Sequence, residues 1–148
     1  MARSRAKPAS RPRFVLDCSV VLAWYFADEA DRYADAVAAA LPSAVALVPA
    51  LFHLELGNIL VVGERRKRST EAQATAFLAR LAGLPIVVDS QTMARAWSEI
   101  LTLARTHGLS TYDAAYLELA MREALPLATL DDQLEAAAKA IGVPRFKP

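Results

Sequence analysis

Residues 110–120 read Ser110-Thr111-Tyr112-Asp113-Ala114-Ala115-Tyr116-Leu117-Glu118-Leu119-Ala120. The stretch has the marks of a helix opening. Ser110 takes the N-cap position, and Asp113, three residues on, completes a capping-box pattern. Ala114, Leu117 and Met121 recur at helical spacing, which predicts a packed face. Asp113 then falls in the first turn, where free N–H groups and the helix dipole favour negative charge. Taken alone, such an acid needs no function. Its significance depends on what the rest of the chain brings to it.

Working outward, short apolar runs alternate with helical patterns. Strands are predicted over 13–17, 45–48, 85–88 and 126–129, and 145–146 suits a short edge strand. Helices are predicted over 19–26, 30–41, 51–66, 69–81, 92–107, 110–124 and 131–140, with Gly108 stopping the helix before the quoted stretch. Such alternation is the pattern of an α/β fold, a small central parallel sheet with helices on both faces. The pattern does not specify strand order.

With 148 residues the chain suits one domain. A hydrophobic share of 55% against 22% charged favours a filled core over disorder. No apolar run reaches the roughly 20 residues of a membrane span, and no apolar segment follows the N-terminal charges as in a signal peptide. Cys18 is the single cysteine, so no internal disulfide forms and a reducing cytoplasm is expected. Residues 1–13 hold Arg3, Arg5, Lys7, Arg11 and Arg13 and no acid, and 1–12 read as a flexible basic tail ahead of a domain over 13–148. Beyond residue 13, 12 of the 17 basic residues remain against 16 acids, a balance of about −4. Four of those twelve are Arg65-Arg66-Lys67-Arg68, which suit either a solvated helix end or an RNA-backbone contact.

In an open parallel sheet, ligands bind beyond the C-terminal ends of the strands. Asp17 ends the first strand, Asp131 follows the last, Asp113 opens the helix feeding it, and Glu55 lies one turn into the helix after the second. Each has a plain structural explanation as a cap or a solvent-facing acid. Together they would repel unless a hard cation joined them. Mg²⁺ or Mn²⁺ suits an oxygen-only set, whereas two histidines and one cysteine in no ligand spacing make zinc a poor fit.

These residues carry a resemblance. Val15-Leu16-Asp17-Cys18-Ser19, Glu55-Leu56-Gly57-Asn58, Tyr112-Asp113-Ala114-Ala115 and Ala128-Thr129-Leu130-Asp131 resemble, in order, four motifs of PIN domains, and VapC-type toxins of toxin–antitoxin pairs in particular. The resemblance covers about residues 13–143. It implies a three-layer α/β/α sandwich and metal-dependent endoribonuclease activity leaving a 5′-phosphate and a 3′-hydroxyl. By resemblance Asp17, Glu55, Asp113 and Asp131 are catalytic. Asp17, Asp113 and Asp131 would hold Mg²⁺ or Mn²⁺, supported by Ser19, Asn58 and Thr129, with Glu118 and Asp132 as further possibilities. It also implies an RNA substrate, a small cognate antitoxin and a homodimer, the last supported by aromatic and aliphatic residues in 24–26 and 51–62. Other readings remain open. One is a catalytically silent binding module acting through an antitoxin at an operator. Another is RNA processing outside such a pair. A third is phosphoryl transfer on Asp17, which would want a second Asp where Ser19 stands.

Overall fold

Phe14, Val15 and Leu16 have no solvent exposure, which places the first strand, β1 (Arg13–Leu16), at the centre of the sheet. The structure, a computed structural model, describes residues 10–148; the predicted tail therefore falls, for residues 1–9, outside the described residues. β1 is followed by α1 (Cys18–Tyr25), α2 (Arg32–Ala40), β2 (Val45–Val48), α3 (Phe52–Arg65), α4 (Glu71–Leu81) and β3 (Ile86–Val88). The chain continues through α5 (Thr92–Arg95), α6 (Glu99–His107), α7 (Thr111–Glu123), β4 (Leu127–Ala128) and α8 (Asp132–Ala140). The strands are all parallel, in the order β3-β2-β1-β4, with Val15 opposite both Leu47 and Leu127.

Right-handed crossovers fix the layers. The chain steps from β1 to β2 to β3 in one direction, which puts α1 to α4 on one face. It then returns across the sheet to β4 through α5 to α7, which puts those helices on the other. The packing agrees: α1 lies against α2 and α3, while α7 lies against α6, α8 and β1. This is the expected α/β/α sandwich. Phe14 stacks on Phe146 at 3.9 Å between ring centroids, tying the C-terminal segment to the central strand.

α7 is the helix predicted from the quoted stretch, and it is more deeply set than one packed face requires. Every residue from Ala114 to Ala120 is buried, so the helix is enclosed all round. Met121, predicted to pack, is 45% exposed because the buried run ends one residue earlier. Ser110 Oγ accepts the Asp113 N–H at 3.1 Å, which makes the predicted cap.

Two other predictions are corrected. The helix expected over 92–107 is two helices, because Ser98 (φ −116°, ψ −99°) leaves the helical region, its hydroxyl donating to the Glu99 carboxylate. The edge strand expected at 145–146 is a single bridge, Arg145 to Leu127. The aromatic residues at 24–26 are largely internal. Phe26 is buried, Tyr25 packs on Phe77, and Trp24 Nε1 donates to the Ala34 carbonyl at 2.7 Å. Exposed apolar surface lies instead at Leu54, Met93, Trp97 and Tyr112. In the basic run, Arg68 is taken up by the fold: it pairs with Asp28 and Glu29 and covers the Phe26 ring.

Candidate active site

Asp17 leaves β1 at the C-terminal edge of the sheet and occupies the N-cap position of α1. Its side chain makes no capping hydrogen bond, so the plain explanation for this acid fails. Its carboxylate is turned instead toward two hydroxyls. Ser19 Oγ donates to Asp17 Oδ2 at 2.5 Å, and Thr129 Oγ1 donates to the same oxygen at 2.8 Å. Those hydroxyls are themselves fixed by the backbone beyond β4. Leu130 N–H donates to Ser19 Oγ, and Asp131 N–H donates to Thr129 Oγ1. The pairing of β1 with β4 therefore carries Asp17, Ser19, Thr129 and Asp131 to one place.

Asp131 does cap α8, accepting the Leu134 N–H at 2.8 Å through Oδ1. Its cap role uses one oxygen and leaves Oδ2. Glu55 is half-buried on the first turn of α3 and accepts the Tyr116 hydroxyl at 2.7 Å. Asp113 opens α7 from the opposite layer.

The four acids converge, and their protonation registers it. Burial pushes Asp17 from 3.8 to about 6, with the Glu55 and Asp131 charges adding to it and the Ser19 and Thr129 hydrogen bonds opposing. Asp113 also rises to about 6, through burial first and then the charges of Asp17 and Asp131. Glu55 is raised by burial and by Asp113, against the hydrogen bonds from Tyr116 and Cys18. Carboxylates raised by burial and by one another's charges mark these residues as a functional-site candidate.

The donor set suits a hydrated hard cation. Among the described residues no three Asp, Glu, His or Cys side chains stand close enough to enclose a bare ion. Mg²⁺, however, keeps several waters and takes only one or two carboxylates directly. All protein hydrogen bonds to Asp17 go to Oδ2, which leaves Oδ1 for an outside ligand. Oxygen donors alone suit a hard divalent cation better than a soft one.

The remaining predicted residues fall differently. Asn58 is exposed on α3 and shares with Glu55, Leu54 and Tyr112 the wall of a cavity of about 410 Å³, with no hydrogen bond to Glu55. Asp132 is exposed on the first turn of α8. Glu118 is buried outside the acid cluster. It pairs with Arg122 at 2.9 Å and Arg95 at 3.6 Å, and Arg122 also grips Asp89 at 2.8 Å. Tyr116 was not among the residues read from sequence, although its spacing of three from Asp113 puts it on nearly the same side of α7. Cys18 is buried beside Glu55 and Asp17, and burial with those two charges raises its thiol well above the usual range, as for an inert core residue.

Comparison with known proteins gives the following likenesses. The family model of the PIN domain matches residues 14–140. Ribonuclease VapC3 of Pyrobaculum aerophilum is 29% identical over 132 residues, which span 89% of this chain and 99% of that protein. The crystal structure of PAE2754 from the same organism is similar at a TM-score of 0.62 and 25% identity, over 86% of this chain and 80% of that one. VapC20 of Mycobacterium tuberculosis, described as a sarcin-ricin loop cleaving toxin, is similar in fold at a TM-score of 0.63 and 20% identity. That match covers 91% of this chain and 99% of that one.

Proposed function

The chain belongs to the PIN-domain family, and on that premise we propose that it is a Mg²⁺- or Mn²⁺-dependent endoribonuclease, the toxin of a toxin–antitoxin pair. The observation that carries the reading is the acid cluster: four carboxylates at the C-terminal edge of the sheet, two of them raised to about 6. The 29% identity to a curated ribonuclease over most of the chain supports the choice of RNA.

Asp17, Asp113 and Asp131 would hold the cation, directly or through water. When bound, it supplies Lewis acidity toward water and the scissile phosphate. Ser19 and Thr129 lock the Asp17 carboxylate in one orientation through Oδ2. Glu55 would orient the attacking water or help to hold a second ion, and Asn58, exposed in the wall of the cavity it shares with Glu55, would meet the phosphate backbone. Hydrolysis leaves a 5′-phosphate and a 3′-hydroxyl. Glu118 is neutralised by arginines and Asp132 is exposed on the first turn of α8, so neither is given a role.

The nuclease occupies 13–148, acts in the cytoplasm and works as a homodimer held by a small antitoxin until released. The dimer reading draws on exposed apolar side chains beside the site: Leu54 at 80%, Met93 at 68%, Trp97 at 92% and Tyr112 at 63%. Among the described residues no helix is long and apolar enough to cross a membrane. Purified protein should cut RNA with Mg²⁺ or Mn²⁺ and stop in excess chelator. A silent binding module would bind its antitoxin and cut nothing.

A further inference from the structure

A glutamate at the edge of an acid cluster has every electrostatic reason to swing away. Glu55 is half-buried on α3, has three side-chain torsions and is repelled by Asp113. Two side chains hold it, the Cys18 thiol from α1 and, more strongly, Tyr116. The tyrosine is fully buried and reaches from α7, 61 positions along the chain, to donate its hydroxyl to Glu55 Oε1 at 2.7 Å. A phenol O–H on a carboxylate is a charge-assisted bond, stronger and more directional than a neutral one. Burial and the Glu55 and Asp17 charges keep that phenol protonated, so it acts only as a donor. The enclosing apolar core does not call for a hydroxyl here, since Phe would fill the same volume. The same helix carries Asp113 one turn earlier, so α7 sets both one acid and the grip on another.

We propose that Tyr116 is a positioning residue acting through Glu55: its hydroxyl fixes Oε1 and thereby directs Oε2 into the acid cluster, setting cation affinity and turnover. This rests on the nuclease reading above. The test uses the full chain as wild type, Tyr116→Phe, Glu55→Gln and the double variant. Mn²⁺ affinity is measured by titration calorimetry, and kcat and KM are measured on a fluorogenic RNA. Tyr116→Phe should melt as a folded protein, bind Mn²⁺ about 10- to 100-fold more weakly and lose kcat by a similar factor, the usual cost of removing an outer-shell partner. KM for RNA should stay within about 3-fold, because Tyr116 touches no substrate. In the Glu55→Gln background the Tyr116→Phe step should change Mn²⁺ affinity by less than about 2-fold, since the effect runs through that carboxylate. An undiminished loss in the Glu55→Gln background overturns the proposal, as does a Tyr116→Phe protein equal to wild type in Mn²⁺ affinity and kcat. If wild type cuts RNA while Tyr116→Phe matches it, only the tyrosine's role falls. If wild type neither binds Mn²⁺ nor cuts RNA, the nuclease reading falls and this role with it.

Discussion

Replacing Asp17 by Asn should inactivate the enzyme and make the metal-free protein more stable. Asp17 is 4% exposed, so its charge is little screened by solvent. Its pKa rises from 3.8 to about 6, chiefly by burial. A difference near two units is worth about 3 kcal/mol against the ionised folded form at neutral pH. The sign follows from the protons. Between pH 4 and pH 6 the folded state binds more protons than the unfolded chain, so wild-type stability climbs as pH falls through about 6 and levels off near 4. Asn carries no charge, and its carbonyl can still accept from Ser19 and Thr129. The variant should therefore exceed wild type by about 2–3 kcal/mol at pH 7.5, with the gap closing toward pH 4. At about 3 °C per kcal/mol for a domain of this size, Tm should rise by about 6–9 °C at pH 7.5. Thermal and urea melts in chelator at pH 7.5, 6 and 4.5 read both numbers. A variant less stable than wild type at pH 7.5, or a gap independent of pH, would refute the claim that Asp17 is held ionised at a cost.

Saturating Mn²⁺ at 100 times its dissociation constant should stabilise wild type by about 2.7 kcal/mol. Asp113→Asn should shrink that shift and abolish cleavage while the protein stays folded by circular dichroism. Arg122→Ala leaves the half-buried Asp89 without its arginine and the buried Glu118 with Arg95 alone, so it should cost about 3 kcal/mol in a urea melt. Glu118→Gln should by contrast keep its cleavage activity below its melting temperature, and loss of activity in a folded Glu118→Gln protein would return that residue to the site. Light scattering at micromolar concentration should give a dimer for wild type and a monomer for Trp97→Glu, which charges a side chain 92% exposed; an unaltered dimer would move the interface elsewhere.

Much of this was legible in the sequence because its signals are local. Apolar runs marked the strands, Gly108 marked a helix end, and Asp17 and Asp131 stood at or just past strand ends, where a parallel sheet must present them. The parts that were not legible depend on distant or competing contacts. The break after Arg95 comes at Ser98, whose backbone leaves the helical region with no Gly or Pro to announce it. α7 is enclosed on all sides, which erases the amphipathic period and left Met121 misplaced. Glu118 and Arg122 stand four apart and their pairing could be read directly, but Asp89, 33 residues before Arg122, could not. Tyr116 and Glu55 meet across two layers of the fold, so the grip on Glu55 shows only in three dimensions.

The central claim is that the acid cluster cuts RNA through a divalent cation, and its most direct measurement maps cleaved RNA ends. Total RNA is incubated with wild type in Mg²⁺ or Mn²⁺, with wild type in excess chelator, and with Asp17→Asn in metal, all from preparations shown free of contaminating nuclease. Discrete new ends bearing 5′-phosphates should appear in the first reaction and in neither of the others. Cleavage that persists in chelator, or that Asp17→Asn performs as well as wild type, would contradict the account.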